Sequence, residues 1–177
     1  MRLFIGFEPG DGARKELAAF QDRLRAAAQG GNYVPPVNFH VTLRFLGEND
    51  RLGELAMAMR EGVRGIRPFS LALDCYGSFE RGGSRIGFMS CKGDLRELRC
   101  LHESLEAALG DAGFGREARP LKPHITLARE LVHDAQTGYE LRQHPCKSCF
   151  SVSNIRLYES VRERGKLLYR PLHIQSL

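Results

Sequence analysis

The feature that most constrains this chain is a tetrapeptide that occurs twice. His40-Val41-Thr42-Leu43 returns 84 residues later as His124-Ile125-Thr126-Leu127. Successive side chains of a β-strand point to opposite faces, so the imidazole and the hydroxyl of each copy share one face. Val41 and Leu43, like Ile125 and Leu127, then point into a core. Each copy follows a proline-bearing lead-in, Tyr33-Val34-Pro35-Pro36-Val37 before the first and Phe114 to Pro123 before the second. Proline there forbids a helix and delivers the chain extended into the strand. If the two strands face one another, two imidazoles and two hydroxyls converge on one small space. That is a site for acid/base chemistry on a phosphate.

The rest of the chain supplies a scaffold of mixed type. Leu3 to Phe7 reads as a strand, and Asp11 to Ala28 as a helix carrying Leu17, Phe20 and Leu24 on one face. Phe39 to Leu46 is the first motif strand. Asn49 or Asp50 can cap a second helix over Arg51 to Val63. Pro68 to Tyr76 and Arg85 to Cys91 read as a hairpin around Glu80-Arg81-Gly82-Gly83-Ser84. Asp94 is expected to cap a third helix, with Leu95, Leu98, Leu101, Leu105 and Leu109 as its stripe. The second motif strand runs from His124 to Leu131. Val132 to Lys147 is polar and reads as an irregular excursion, and Cys149 to Tyr158 and Leu167 to Ile174 as two final strands. Helices mixed with hairpins favour α+β over a doubly wound parallel sheet. The expected architecture is two related antiparallel-sheet and helix halves facing across a central cleft, within one domain spanning residues 1–177.

No apolar run approaches the 18 residues of a membrane span. Met1 to Glu8 turns acidic too soon for a signal peptide. Five scattered cysteines give no disulfide framework, so free thiols in a reducing cytoplasm are expected. The net charge of +5 suits an anionic partner.

Two opposed histidines suit metal-free displacement at phosphorus. One, neutral, takes a proton from the attacking water while the other, protonated, gives one to the departing oxygen. The threonine hydroxyls donate to the non-bridging oxygens, where charge accumulates. Arg44 continues the period-two face of His40 and Thr42 and is expected at the same phosphate. Arg129, five residues after His124, falls on the opposite face unless a bulge turns it inward. Neither motif strand offers a carboxylate or thiol beside its histidine, so no metal and no cofactor is expected. A glycine-rich phosphate loop and a nucleophile elbow are both lacking.

These residues also carry a resemblance. The chain resembles the 2H phosphoesterase superfamily, and within it the RNA 2′,3′-cyclic phosphodiesterases historically called 2′-5′ RNA ligases. The likeness runs through Arg2 to Phe7, Tyr33 to Pro36, His40 to Gly47, Arg119 to Arg129, Leu157 to Ser160 and Tyr169 to Leu172. The resemblance implies a two-lobed α+β fold with one His-x-Thr motif per lobe. It implies metal-independent opening of an RNA-terminal 2′,3′-cyclic phosphate to a 2′-phosphate. By motif, His40 becomes the proton donor to the leaving 3′ oxygen and His124 the proton acceptor from water. Thr42 and Thr126 hold the phosphate with Arg44 and Arg129. Many relatives carry a tryptophan in the strand matching Arg85 to Ser90. This chain has no tryptophan, and Phe88 is the nearest aromatic there. Phe88, Tyr33 and Phe39 are the candidates for stacking on a base. The implied partner is RNA with a cyclic phosphate end, tRNA fragments among the candidates, met by a monomer without a membrane.

Two rival readings use the same residues. One is an RNA-end-binding module in which hydrolysis is incidental, and the other is a ligase forming 2′-5′ links by the reverse chemistry. Cys146-Lys147-Ser148-Cys149 with His144 is an incomplete metal set, read as incidental thiols. His102, His133 and His173 have no partner in spacing and read as structural or surface residues.

Overall fold

The two motif strands lie side by side at the centre of a single antiparallel sheet. The computed structural model describes residues 1–117 and 119–177, and among these the sheet has nine strands. They are β1 (Arg2–Phe7), β2 (Gly30–Tyr33), β3 (Val41–Glu48), β4 (Phe69–Arg81), β5 (Ser84–Gly93), β6 (His124–Val132), β7 (Cys149–Val152), β8 (Asn154–Glu163) and β9 (Lys166–Ser176). The helices are α1 (Asp11–Ala27), α2 (Leu52–Gly62), α3 (Leu95–Asp111) and α4 (Ala135–Arg142), with a 3-10 turn at Pro36–Asn38. In space the strands run β7-β4-β5-β6-β3-β1-β8-β9, with β2 also paired to β6.

That order divides at the β6–β3 junction. The central stretch of the chain builds β7-β4-β5-β6, whereas the two ends of the chain together build β3-β1-β8-β9. Each motif strand lies antiparallel beside the strand that precedes it by one helix: β1, α1, β3 in one half and β5, α3, β6 in the other. The halves therefore repeat one unit around the junction.

Amphipathic periodicity places the long helices on the sheet. In α1 the residues Ala13, Leu17, Phe20, Gln21 and Leu24 are buried, and in α3 Leu98, Leu101, Leu105 and Leu109. A fully buried leucine contributes about 1.5–3 kcal/mol, so the four of α3 fix that helix firmly. None of these helices is long and apolar enough to cross a membrane.

Three expectations change. The polar excursion after Val132 contains helix α4, capped by the Asp134 carboxylate, which accepts from the Thr137 N–H at 2.7 Å. Its weak apolar stripe buries only Leu141, which is why periodicity does not reveal it. The run Cys149 to Tyr158 is two strands. The chain leaves β7 on the edge of one half and enters β8 in the other, with the break at Ser153. Finally, Asp94 does not cap α3 with its side chain. Its carboxylate accepts from the Ser70 N–H at 2.8 Å and ties the helix start to β4 instead.

Candidate active site

A single residue pair, Val41 and Ile125, joins β3 to β6. Both are fully buried. Alternation then sends the residues that flank them, His40 and Thr42 on one strand and His124 and Thr126 on the other, to the opposite face. The junction of the two halves is thus the centre of the site, and it brings together the four residues of the repeated motif.

Both imidazoles are held in the same way. His40 Nδ1 donates to the Asn38 carbonyl at 2.7 Å, and His124 Nδ1 donates to the Lys122 carbonyl at 2.7 Å. A carbonyl only accepts, so each ring carries its proton on Nδ1 and presents Nε2 for chemistry. His40 Nε2 lies 3.1 Å from Thr42 Oγ1, whose hydroxyl donates to it. Among the described residues His124 Nε2 has no hydrogen-bonding partner. Asn38 is itself buried and donates to the Leu167 carbonyl at 2.8 Å, which anchors the lead-in of the first motif to β9.

The two strands depart from flat pairing at equivalent places. Against β1, Ile5 pairs with Arg44 and Gly6 with Thr42, so Leu43 is an extra residue. Against β5, Gly87 pairs with Ala128 and Phe88 with Thr126, so Leu127 is an extra residue. A bulge of this kind turns two consecutive side chains to the same side and reverses the alternation beyond it. In each strand the two residues after threonine are accordingly buried, Leu43 and Arg44 in one and Leu127 and Ala128 in the other. The next residue, five after the histidine, returns to the histidine face. It is Phe45 in β3 and Arg129 in β6.

This geometry turns Arg44 away from the histidines, against expectation, and returns Arg129 to their face. Arg44 is 9% exposed and ion-paired through Nη1 with the Glu106 carboxylate of α3. Its Nη2 donates to the Phe114 carbonyl at 3.1 Å. The bulge at Leu43 carries its guanidinium away from the histidines, so it is a structural cation. Arg129 is exposed, and its charge acts on both His40 and Tyr169 across the junction. Among the described residues it has no carboxylate partner. It stands as a cation on the histidine face of the junction.

Aromatic rings wall the His40 side. Phe4 lies 4.8 Å from the imidazole between centroids, and Tyr169 meets it edge-on at 4.9 Å. Phe4 stacks in turn on Tyr158 at 5.0 Å. Burial pushes the His40 imidazole down to about 4, and the positive charges of Arg129 and His124 add to the effect. The Asn38 hydrogen bond and the Glu8 carboxylate oppose it. Glu8 is held by Arg156 at 2.7 Å, by the Tyr158 hydroxyl at 2.9 Å and by Arg14 at 3.0 Å. In the free protein at neutral pH, His40 is therefore an uncharged imidazole. On the other side Phe88 meets His124 edge-on at 5.3 Å, and Phe79 lies 5.6 Å from Phe88. Gly77 leaves room for the Phe88 ring, since a Cβ there would sit 2.5 Å from it.

The model of the 2'-5' RNA ligase superfamily matches residues 10–164. The chain belongs to that superfamily. A curated relative from Escherichia coli K12, named RNA 2',3'-cyclic phosphodiesterase, is 31% identical over 171 residues, covering 97% of this chain and 93% of the relative. One of the same name from Geobacillus stearothermophilus is 34% identical over 168 residues, and there the match covers 91% of this chain but 52% of the relative. The chain thus spans about half the length of the Geobacillus protein. Among solved structures, E. coli LigT complexed with 3'-AMP superposes with a TM-score of 0.77 at 28% identity, covering 99% of this chain and 96% of that one.

Within this member of the superfamily, two of the three aromatic candidates fall outside the site. Phe39 is 0% exposed and packs in the core behind the motif. Tyr33 pairs with Ala128, whose side chain is buried on the helix side of the sheet, and the Arg25 guanidinium of α1 covers its ring at 4.4 Å. Only Phe88 reaches a catalytic candidate. Residues that sequence reasoning missed are Phe4, Glu8, Asn38, Phe45 and Tyr169. A signal existed for two of them, since Arg2, Phe4, Gly6 and Glu8 alternate on one strand face. Gly6 is required there: a Cβ would lie 2.4 Å from the Val41 carbonyl oxygen beneath Thr42. His133 is structural, its Nε2 accepting from the buried Tyr76 hydroxyl at 2.8 Å. Cys146 is buried, Cys149 is exposed, and both are free thiols. Among the described residues no group of three or more His, Cys, Asp or Glu side chains is placed to hold a metal ion.

Proposed function

We propose that this protein hydrolyses RNA-terminal 2′,3′-cyclic phosphates to 2′-phosphates, by paired histidine acid/base catalysis without a metal. The observation that carries the reading is the convergence of two Nδ1-anchored imidazoles and two threonine hydroxyls at the β3–β6 junction. His124 Nε2 takes a proton from water as the water oxygen attacks phosphorus. The bond from phosphorus to O3′ breaks, His40 Nε2 protonates O3′, and phosphorus keeps O2′. Thr42 and Thr126 donate to the non-bridging oxygens, and Arg129 offsets the charge that gathers on them. Arg44 has no part in this scheme. The protein acts as a monomeric single domain of two pseudo-symmetric lobes in the cytoplasm, with RNA ends, tRNA fragments included, as its substrates. The names of the curated relatives support the reaction class.

For this division of labour His40 must be protonated in the complex. The bound phosphate anion supplies the negative charge that the free site lacks, with Glu8 adding to it. The low proton affinity of His40 favours a second reading, in which His40 is the acceptor and His124 the donor. A substrate with sulfur in place of O3′ separates the two, because a thiolate leaves without a general acid. On that substrate the His40→Ala variant regains most of its lost rate and His124→Ala does not; the reverse pattern exchanges the roles. Hydrolysis of a short RNA bearing a 2′,3′-cyclic phosphate in the presence of chelator tests the reaction itself. Activity that vanishes with chelation overturns the metal-free reading.

A further inference from the structure

We infer that the β8–β9 hairpin is the rail for the RNA backbone upstream of the cyclic phosphate, so that an oligonucleotide end is preferred to a mononucleotide. The inference rests on the hydrolase reading above, with His40 as the donor to O3′.

Each half of the sheet carries one long hairpin, β4–β5 in one and β8–β9 in the other, and the two are charged differently. At the tip of β4–β5 Glu80 neutralises Arg85 at 3.0 Å, which leaves Arg81. From Glu159 to Arg170 the β8–β9 hairpin holds four cations and two carboxylates. Both carboxylates, Glu159 and Glu163, are taken by Arg170. Arg162, Arg164 and Lys166 are exposed and pair with no carboxylate among the described residues. The backbone of the tip points the same way. Glu163 pairs with Lys166 across a two-residue turn, and both turn residues have positive φ, Arg164 at 49° and Gly165 at 78°. Such a turn favours Asn, Asp or Gly at these places and holds the hairpin stiff. An arginine in the left-handed region carries a local backbone cost that a cation displayed at the tip explains.

The hairpin begins at the site. Ser160 pairs with Tyr169, whose ring meets His40 edge-on at 4.9 Å, so this row and Arg162, two residues on, lie on the histidine face. Arg2, exposed and on the same face of β1, stands at the inner end, where its charge and that of Arg129 both act on Tyr169. Arg129, Arg2 and Arg162 therefore mark steps leading away from the junction, with Arg164 and Lys166 beyond them. Two residues of strand advance about 7 Å, close to one nucleotide of an extended chain. Stereochemistry selects this hairpin over the other. If His40 protonates O3′, the ribose that bears O3′ lies on the His40 side of the phosphorus, and the upstream chain hangs from O5′ of that ribose. It leaves through the half that ends in β8–β9, away from β4–β5. Contacts of charge with phosphate carry no sequence information, so the rail gives affinity without base preference.

The test compares tetra-adenylate ending in a 2′,3′-cyclic phosphate with adenosine 2′,3′-cyclic phosphate, across a series of salt concentrations. Wild-type protein should prefer the oligonucleotide in kcat/KM by about tenfold or more at low salt. The preference should fall with log salt by a slope of about 1.4, the value for two phosphates of a single strand. The triple variant Arg162→Ala, Arg164→Ala, Lys166→Ala should lose most of that ratio, chiefly through KM, and flatten the slope. Arg162→Lys with Arg164→Lys keeps the charges and should keep most of the ratio. Arg81→Ala with Arg85→Ala on the other hairpin should leave the ratio as in the wild type. A triple variant that retains the ratio overturns the inference, as does one that slows both substrates by a common factor. A wild-type protein that opens both substrates equally well overturns it too. A wild-type protein that opens neither refutes the hydrolase reading itself, and this inference with it.

Discussion

His40 stands among the rings of Phe4, Tyr158 and Tyr169, whereas His124 has the edge of Phe88 beside it and an Nε2 with no hydroxyl partner among the described residues. Yet the two strands share one backbone design. Each histidine donates from Nδ1 to the carbonyl two residues back, and each strand bulges directly after its threonine. The bulges are supported differently. The Leu127 carbonyl accepts from the Val34 N–H at 2.9 Å and from the buried Gln21 side chain of α1 at 2.8 Å. The Leu43 bulge is backed by Arg44, whose guanidinium is clamped by Glu106 and the Phe114 carbonyl. The comparison teaches that one duplicated scaffold carries two unlike half-sites. Backbone geometry is common to both, and the side chain five residues after each histidine is an aromatic ring in one half, Phe45, and a cation in the other, Arg129.

The comparison breaks first at the histidines. His40→Ala and His124→Ala should each lower kcat by about a thousandfold on a cyclic-phosphate RNA, within the range expected for one acid or base. Retained turnover in either variant, measured at saturating substrate, removes the two-sided mechanism. The arginines come next, because equivalent places in the sequence motif give them opposite duties. Arg44→Ala leaves the buried Glu106 carboxylate without its cation, with Oε1 unpartnered and only the Glu117 N–H on Oε2, and should cost about 3–5 kcal/mol in denaturant unfolding. Arg129→Ala should leave unfolding unchanged and lower kcat/KM by about a hundredfold. If both variants lose activity with stability intact, Arg44 belongs to the phosphate site after all.

The unlike surroundings of the histidines also predict a pH signature. His40 titrates at about 4 in the folded protein against 6.5 when free in solution. Between those values the unfolded chain binds the proton and the folded chain resists it, so stability rises with pH. The contribution of roughly 3 kcal/mol is fully present above pH 6.5 and lost by pH 4. Replacing His40 by glutamine should flatten that part of the stability curve, read as unfolding free energy against pH. The smallest effect is expected at the bulge support. Gln21→Leu removes the amide from the Val34 and Leu127 carbonyls and should cost about 1–3 kcal/mol. It should also lower the rate through a loosened Arg129; a variant that loses stability alone would confine Gln21 to the core.

Much of the site was legible in one dimension. The repeated His-x-Thr, the alternation that places imidazole and hydroxyl on one face, and the apolar partners Val41 and Ile125 are local properties of a strand, and local sterics decide them. The leucine stripe of α3 was legible for the same reason. The register beyond each threonine was not. Strict alternation put Arg44 inward and Arg129 outward, and the structure has the reverse. A bulge is chosen by what receives its displaced groups, and those receivers are far away in the chain: Glu106 for Arg44 and Gln21 for Leu127. The passage from β7 to β8 was hidden likewise, since a single polar residue at Ser153 separates two runs that read as one strand. The charge state of His40 depends on rings from β1, β8 and β9, which only the assembled sheet brings around it. The sequence by itself thus determined which groups could do chemistry, because side-chain type and strand period are local. Tertiary structure alone decided which arginine lies on the histidine face and that the His40 imidazole resists protonation, because bulge register and desolvation are set by distant neighbours.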